Sequence, residues 1–211
     1  MLDQRARERD ALALDKKLRG ETQFELMHLK ERLGLTFMIV THDQEEAMAV
    51  ADRIGVMDCG RLIQVATPQE IYEQPNSRWV ADFIGDVNLF EGRVAAMGAA
   101  GTVIESAACG RLHMSTAAAV KAGDNVWVAL RPEKLRIGHV APAGEMENFV
   151  SGRVWDIGYR GDVSIFQVRL DNGFVIKAAA TNMTRLIERP ISLDDQVWLA
   201  WGPGAGVVLT R

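Results

Sequence analysis

Residues 125–132 read NVWVALRP, and residues 196–203 read QVWLAWGP. A second pair, LFEGRV at 89–94 and FVSGRV at 149–154, resembles itself in the same order. One such echo is weak evidence, but two in register imply a duplicated β unit of roughly 60 to 70 residues, the copies packed as small barrels. The surrounding texture agrees. From Asn88 onward short alternating runs are separated by Gly, Pro, Asn and Asp, the pattern of half-buried strands joined by turns. DNG at 171–173, between FQVRL and FVIKA, is a hairpin signal, and GPGAG at 202–206 reads as a turn before the last strand.

Upstream of Asn88 the pattern changes. TQFELMHLKERL at 22–33 places apolar residues at helical spacing, and Gly34 supplies the left-handed residue that ends a helix. LTFMIVT at 35–41 is a short apolar, β-branched run that reads as a strand buried on both faces. Asp43 then caps a helix whose first turn holds Glu45 and Glu46. RIGVM and RLIQV, joined by Asp58, Cys59 and Gly60, form a predicted hairpin, while TPQE at 67–70 and SRWVADFIG at 77–85 open two more helices. Helix, strand, helix, strands, helix is the order of a doubly wound α/β sheet.

Composition narrows the function classes. The 24 Lys+Arg against 28 Asp+Glu give a net charge of -4, which argues against a binder held by phosphate contacts to nucleic acid. Two cysteines, Cys59 and Cys109, suggest neither a disulfide framework nor a zinc site, and fit a reducing cytosol. No apolar run approaches the roughly 18 residues of a membrane span, and MLDQRARERD carries charge where a signal peptide needs an apolar core.

His42 is the main candidate for chemistry. It stands at the carboxyl end of the predicted strand and just before a helix, the place where open α/β sheets bind ligands. An imidazole there can hydrogen-bond a phosphate or orient a water. On spacing alone a capping or core role is favoured, and Glu45 and Glu46 read as helix-dipole partners rather than metal ligands. Gly55 to Leu62 spell G-x-x-x-x-G-R-L, which lacks the lysine and hydroxyl of a phosphate loop and is read as chance.

VTHDQEEAM at 40–48, ATPQEIYEQP at 66–75, GDNVWVALRPEKLRI at 123–137 and RGDVSIFQVRL at 160–170 together resemble the ATP-binding subunit of ABC importers, closest to the polyamine (putrescine or spermidine) type. Sugar, iron and phosphonate importers share much of the pattern. The resemblance runs from Ala13 to Arg211. It implies an α/β partial P-loop NTPase (ABC ATPase) domain over 1–87, followed by an all-β tandem OB-like (TOBE) regulatory domain over 88–211. It implies that His42 is the switch histidine that contacts the γ-phosphate of ATP. Leu14 and Asp15, after Ala13, match the D-loop, which acts across the dimer interface. The cofactors implied are ATP and Mg2+. The partners implied are the transporter's membrane subunits, a second ATP-binding subunit in a homodimer and, indirectly, a periplasmic binding protein, with no nucleic acid. The expected location is the cytoplasmic face of the membrane.

The family's phosphate loop, signature sequence and Walker B carboxylates precede the D-loop, and MLDQRARERDAL matches none of them. The expectation is a truncated subunit that alone neither binds MgATP tightly nor hydrolyses it. A parallel strand without neighbours would also leave FMIVT with unpaired backbone groups and exposed apolar faces. Two other classes stay open. OB-like barrels bind oligonucleotides, and Trp127, Trp155, Tyr159, Trp198 and Trp201 are candidate stacking residues, although core packing is favoured for Trp127 and Trp198. A free-standing regulatory module that dimerises or binds an effector is the other.

Overall fold

A computed structural model describes residues 25, 27–29, 32–98, 101–115, 119–143, 147–183 and 190–211. Leu14 and Asp15 of the predicted D-loop lie outside them. The chain divides into two compact units, Met1–Ile71 and Tyr72–Arg211. Residues 72–87 therefore belong with the β half, ahead of the residue-88 boundary read from the sequence.

In the first unit the described residues between 25 and 33 are helical, and Gly34 follows with φ +61°. Helix α1 (Gln44–Val50) begins at Asp43, whose side chain accepts from the Glu46 amide. Strands β1 (Ile54–Asp58) and β2 (Arg61–Ala66) pair antiparallel. Cys59 and Gly60, at φ +46° and +75°, make the two-residue turn with both central residues left-handed that suits a hairpin's twist. Helix α2 (Pro68–Glu73) opens on the predicted reciprocal cap. The Glu70 carboxylate accepts from the Thr67 amide at 2.9 Å, and the Thr67 hydroxyl accepts from the Glu70 amide at 3.3 Å.

Among the described residues the doubly wound sheet is not formed. Residues 35–41 carry no strand structure, and Met38 and Val40 are 94% and 95% exposed. The reason is physical: a central parallel strand exists only through hydrogen bonds to neighbours on both sides, and the only sheet described in this unit is the β1–β2 hairpin. The G-x-x-x-x-G-R-L run spans this hairpin, with Gly60 in its turn.

The described residues of the second unit include helix α3 (Arg78–Phe83), capped by Ser77, followed by ten strands in two five-stranded sheets. The strands are β3 (Asn88–Gly98), β4 (Gly101–Ser106), β5 (Gly110–Met114), β6 (Asn125–Leu130), β7 (Arg136–Gly138), β8 (Asn148–Tyr159), β9 (Val163–Arg169), β10 (Val175–Thr181), β11 (Gln196–Trp201) and β12 (Gly206–Leu209). Their order is β12-β6-β3-β4-β5 in one sheet and β10-β9-β8-β11-β7 in the other. The sequence echo is a structural repeat. β6 and β11 share one burial pattern, with Val126, Val128 and Leu130 matched by Val197, Leu199 and Trp201, all pointing inward. The turns before them match as well: the Lys121 amide donates to Asp124 and the Ser192 amide to Asp195, each at 2.8 Å. In the shared G-R-V segments, a Cβ on Gly92 or Gly152 would come within 2.5 or 2.6 Å of an atom on the neighbouring strand, so only glycine lets the strands approach.

The copies are not independent of one another. β7 follows the first copy's β6 but pairs with β11, and β12 follows the second copy's β11 but pairs with β6, so each copy lends its last strand to the other sheet. A single cluster takes in Phe90, Ile104 and Leu130 from one sheet and Phe166, Ile176 and Trp201 from the other. The side-chain amides of Asn88 and Asn148 close the exchange. Asn88 bonds the backbone of Lys177 in β10, and Asn148 bonds that of His113 in β5, each as donor and acceptor.

Buried Arg131 fixes the entry to this unit. Its Nη1 donates to the carbonyls of Ala81, Gly85 and Asp86, and its guanidinium stacks 4.2 Å from the Tyr72 ring centroid. These carbonyls lie at the end of α3, where cations and donors are wanted. Burial pulls the pKa of Arg131 below its ordinary value, against the nearby Tyr72 and Glu133.

Candidate functional site

The loop around His42 is built by its neighbours. The Thr41 hydroxyl accepts from the Asp43 amide at 3.0 Å and donates to Glu46 Oε2 at 2.6 Å, while Asp43 Oδ1 accepts from the Glu46 amide at 3.1 Å. These bonds close the turn that carries residue 42 and leave its imidazole exposed. Glu45 and Glu46 sit in the first turn of α1, the position where the helix dipole favours carboxylates, and Glu46 is committed to Thr41. The histidine is therefore neither a cap nor a core residue, contrary to the reading from spacing alone.

His42, Asp43, Gln44 and Glu45 line an open groove of about 470 Å³. The groove offers a hydrogen-bonding imidazole, and its described lining carries two carboxylates and no lysine or arginine. The described lining by itself does not fit a triphosphate, whose charge opposes Asp43 and Glu45. Among the described residues no group of three or more His, Cys, Asp or Glu side chains converges as a metal site. None of their helices is long and apolar enough to cross a membrane.

The candidate stacking residues separate by face. Trp201 is 1% exposed and stacks on Phe90 at 6.2 Å in the main core. Trp127 and Trp198 are half-buried on the outer faces of their sheets; Trp127 packs there against the cluster of Ala81, Ala129 and Leu209, in line with the core packing expected of it, whereas Trp198 meets Phe149. Alternation explains this, since Val126, Val128 and Leu130 take the inner face and put Trp127 outside. Trp155 and Tyr159 are 56% and 74% exposed.

Residues 128–209 match the family model described as the TOBE domain. The chain is 39% identical over 199 residues to a spermidine/putrescine import ATP-binding protein of Chromobacterium violaceum, covering 94% of this chain and 55% of that protein. It is 43% identical over 201 residues to a putrescine transport ATP-binding protein of Escherichia coli, covering 94% and 52%. The chain carries a TOBE domain and is similar to ATP-binding proteins of polyamine import. It corresponds to the C-terminal part of those proteins and spans about half their length. A solved structure of the cytoplasmic molybdate-binding protein ModG has a similar fold, with a TM-score of 0.51 and 15% identity, covering 64% of this chain and 97% of that one. The all-β tandem fold is thereby established, and the described residues give no support for a P-loop NTPase domain. Arg131, unnoticed in the sequence, lies within the matched TOBE segment; only its RP context hinted at a role.

Proposed function

We propose that this chain acts as the C-terminal part of the ATP-binding subunit of a polyamine importer. In this reading its TOBE unit is the regulatory domain, and residues before it complete a nucleotide site whose phosphate cradle lies in the half of the subunit that the chain does not span. The carrying observation is that identity of 39 to 43% runs across 94% of the chain, through both the His42 loop and the TOBE unit. His42 is then the switch histidine that hydrogen-bonds the γ-phosphate, and Leu14 and Asp15 form the D-loop facing a second subunit of a homodimer. ATP and Mg2+ are the cofactors of the assembled subunit. The membrane subunits hold it at the cytoplasmic face, a periplasmic binding protein delivers putrescine or spermidine, and hydrolysis energises uptake. The exposed side chains of residues 35–40 support this reading, because they are the apolar faces of a strand awaiting neighbours.

The test is a chimera that joins the matching first half of the Escherichia coli relative to residues 13–211 of this chain. Expression in cells lacking that subunit should restore putrescine uptake. His42→Ala in the purified chimera should lower ATP hydrolysis by roughly 10²-fold or more, the scale of losing one positioned charge-stabilising group. A folded chimera that assembles with the membrane subunits yet supports no uptake overturns the proposal. It would favour a free-standing module, for which the compact Tyr72–Arg211 unit is the supporting observation.

A further inference from the structure

The internal repeat gives each outer-face residue of one sheet a counterpart on the other, so departures from the repeat identify residues the fold does not require. In the first sheet, Arg93 of β3 stands opposite Glu105 of β4. At the same place in the second sheet, Arg153 of β8 stands opposite Arg169 of β9. Like charges directly opposed across two strands are destabilising. Arg153 Nη1 donates to the Asp194 carbonyl at 3.2 Å, but among the described residues no carboxylate forms an ion pair with either arginine, and the nearby Asp156 carboxylate accepts instead from Gln167 and the Ile157 amide. The bulge beside them departs in the same way. It is Ala95 in the first copy and Trp155 in the second, the latter 56% exposed with the Arg169 guanidinium 3.4 Å from its ring centroid.

The first sheet shows what such a face receives. Its outer residues Leu89, Trp127, Ala129 and Leu209 pack with Ala81 of α3, which is fully buried, and Arg78 of the same helix lies 3.9 Å from the Trp127 ring centroid. A short helix thus covers part of a sheet face whose outward charges are mixed, Glu91 and Glu105 with Arg93 and Arg111, and it brings a further cation. The corresponding face of the second sheet carries Phe149 and Trp198, edge to face at 5.7 Å, beside an open groove of about 380 Å³. Phe149 remains 46% exposed. Apolar area, aromatic anchors and arginines that pair with no described carboxylate together are the composition of a protein interface centre.

We propose that the outer face of the second sheet docks an acidic amphipathic helix of a partner protein. Its apolar side lies along Phe149 and Trp198, and its carboxylates meet Arg153 and Arg169. Charge complementarity selects this occupant: on this face two arginines oppose each other and, among the described residues, neither pairs with a carboxylate, whereas on the covered face of the first sheet Arg93 opposes Glu105 and Arg111 pairs with that same carboxylate. A polynucleotide fits less well, because Asp171 borders the groove and the whole chain carries a net charge of -4. The inference stands on the TOBE unit alone and is independent of the transport reading.

The full chain would be titrated with two labelled helical peptides of equal length, one with leucine on one face and glutamate on the other, its twin with lysine for every glutamate, and with a labelled oligothymidylate. The glutamate peptide should bind at least about tenfold more tightly than the lysine peptide at low salt. Arg169→Glu should reverse that preference with a Tm no lower than the parent's, since the counterpart position already carries Glu105. Arg169→Gln should remove most of it. Trp155→Ala should weaken glutamate-peptide binding several-fold and leave Tm unchanged, since the counterpart is Ala95. Equal affinity for the two peptides, a preference that survives Arg169→Glu, or an oligothymidylate that outcompetes the glutamate peptide would each overturn the proposal.

Discussion

At the residue scale, the joint between α3 and the sheets depends on a cation, a phenol and a carboxylate that are read correctly only in three dimensions. The Tyr72 hydroxyl donates to Glu133 at 2.8 Å and its ring carries Arg131. Burial, followed by that hydrogen bond, pushes its pKa up to about 12 from 10.0. The protonated phenol is thus favoured by the folded state, so its contribution is complete below pH 10 and is lost as the pH rises towards 12. Cys109, raised by burial from 9.0 to about 12, acts in the same direction from a lower starting point. The TOBE unit should lose stability steadily between pH 9 and 12, and Tyr72→Phe should flatten the part above pH 10. Thermal melts across that range check this, and an unchanged slope in the variant would refute it. The two cysteines announced nothing of the kind in sequence, because a thiol's pKa depends on the atoms packed around it.

At the element scale, the short signals read well and the non-local ones did not. The Cys59-Gly60 turn, the Thr67–Glu70 cap and the 171–173 hairpin are specified by adjacent residues, and each appears as expected. The Gly173 amide closes that hairpin on the Leu170 carbonyl at 2.9 Å. Residues 35–41 have a strand's composition but no strand, since pairing partners rather than propensity decide a buried parallel strand. The exchange of β7 and β12 was equally invisible. It leads to a sharp expectation: removing residues 206–211 takes away a strand of the first sheet although it trims the second repeat. Loss of buried Val208 and Leu209 should cost about 3–6 kcal/mol. Hydrogen exchange should then rise first in β6, whose Trp127–Leu130 amides and carbonyls lose their partner. Equal loosening of β8 and β11 would argue against the exchange.

At the scale of the whole molecule, the chain is a helix and hairpin unit followed by a TOBE unit with its own core. The second should fold alone. A fragment of residues 72–211 should melt cooperatively within a few degrees of the main transition of the full chain, because its sheets, α3 and the Arg131 clamp are all retained. Beginning the fragment at residue 88 instead removes Ala81, Gly85 and Asp86, the acceptors of Arg131, and strands a buried guanidinium, which should lower Tm markedly. Differential scanning calorimetry of the two fragments distinguishes them, and equal melting temperatures would refute the clamp.

By itself the sequence determined the duplication, the local turns and caps, and the family resemblance, because these are written in runs of neighbouring residues and survive without knowing what they touch. It also marked His42 by its motif, while the structure decided that the imidazole is exposed beside two carboxylates. Only the tertiary structure showed that the repeats exchange strands, that Trp198 faces outward, and that Arg153 opposes Arg169. Strand pairing joins residues far apart in the chain, and the face on which a side chain emerges follows from that register.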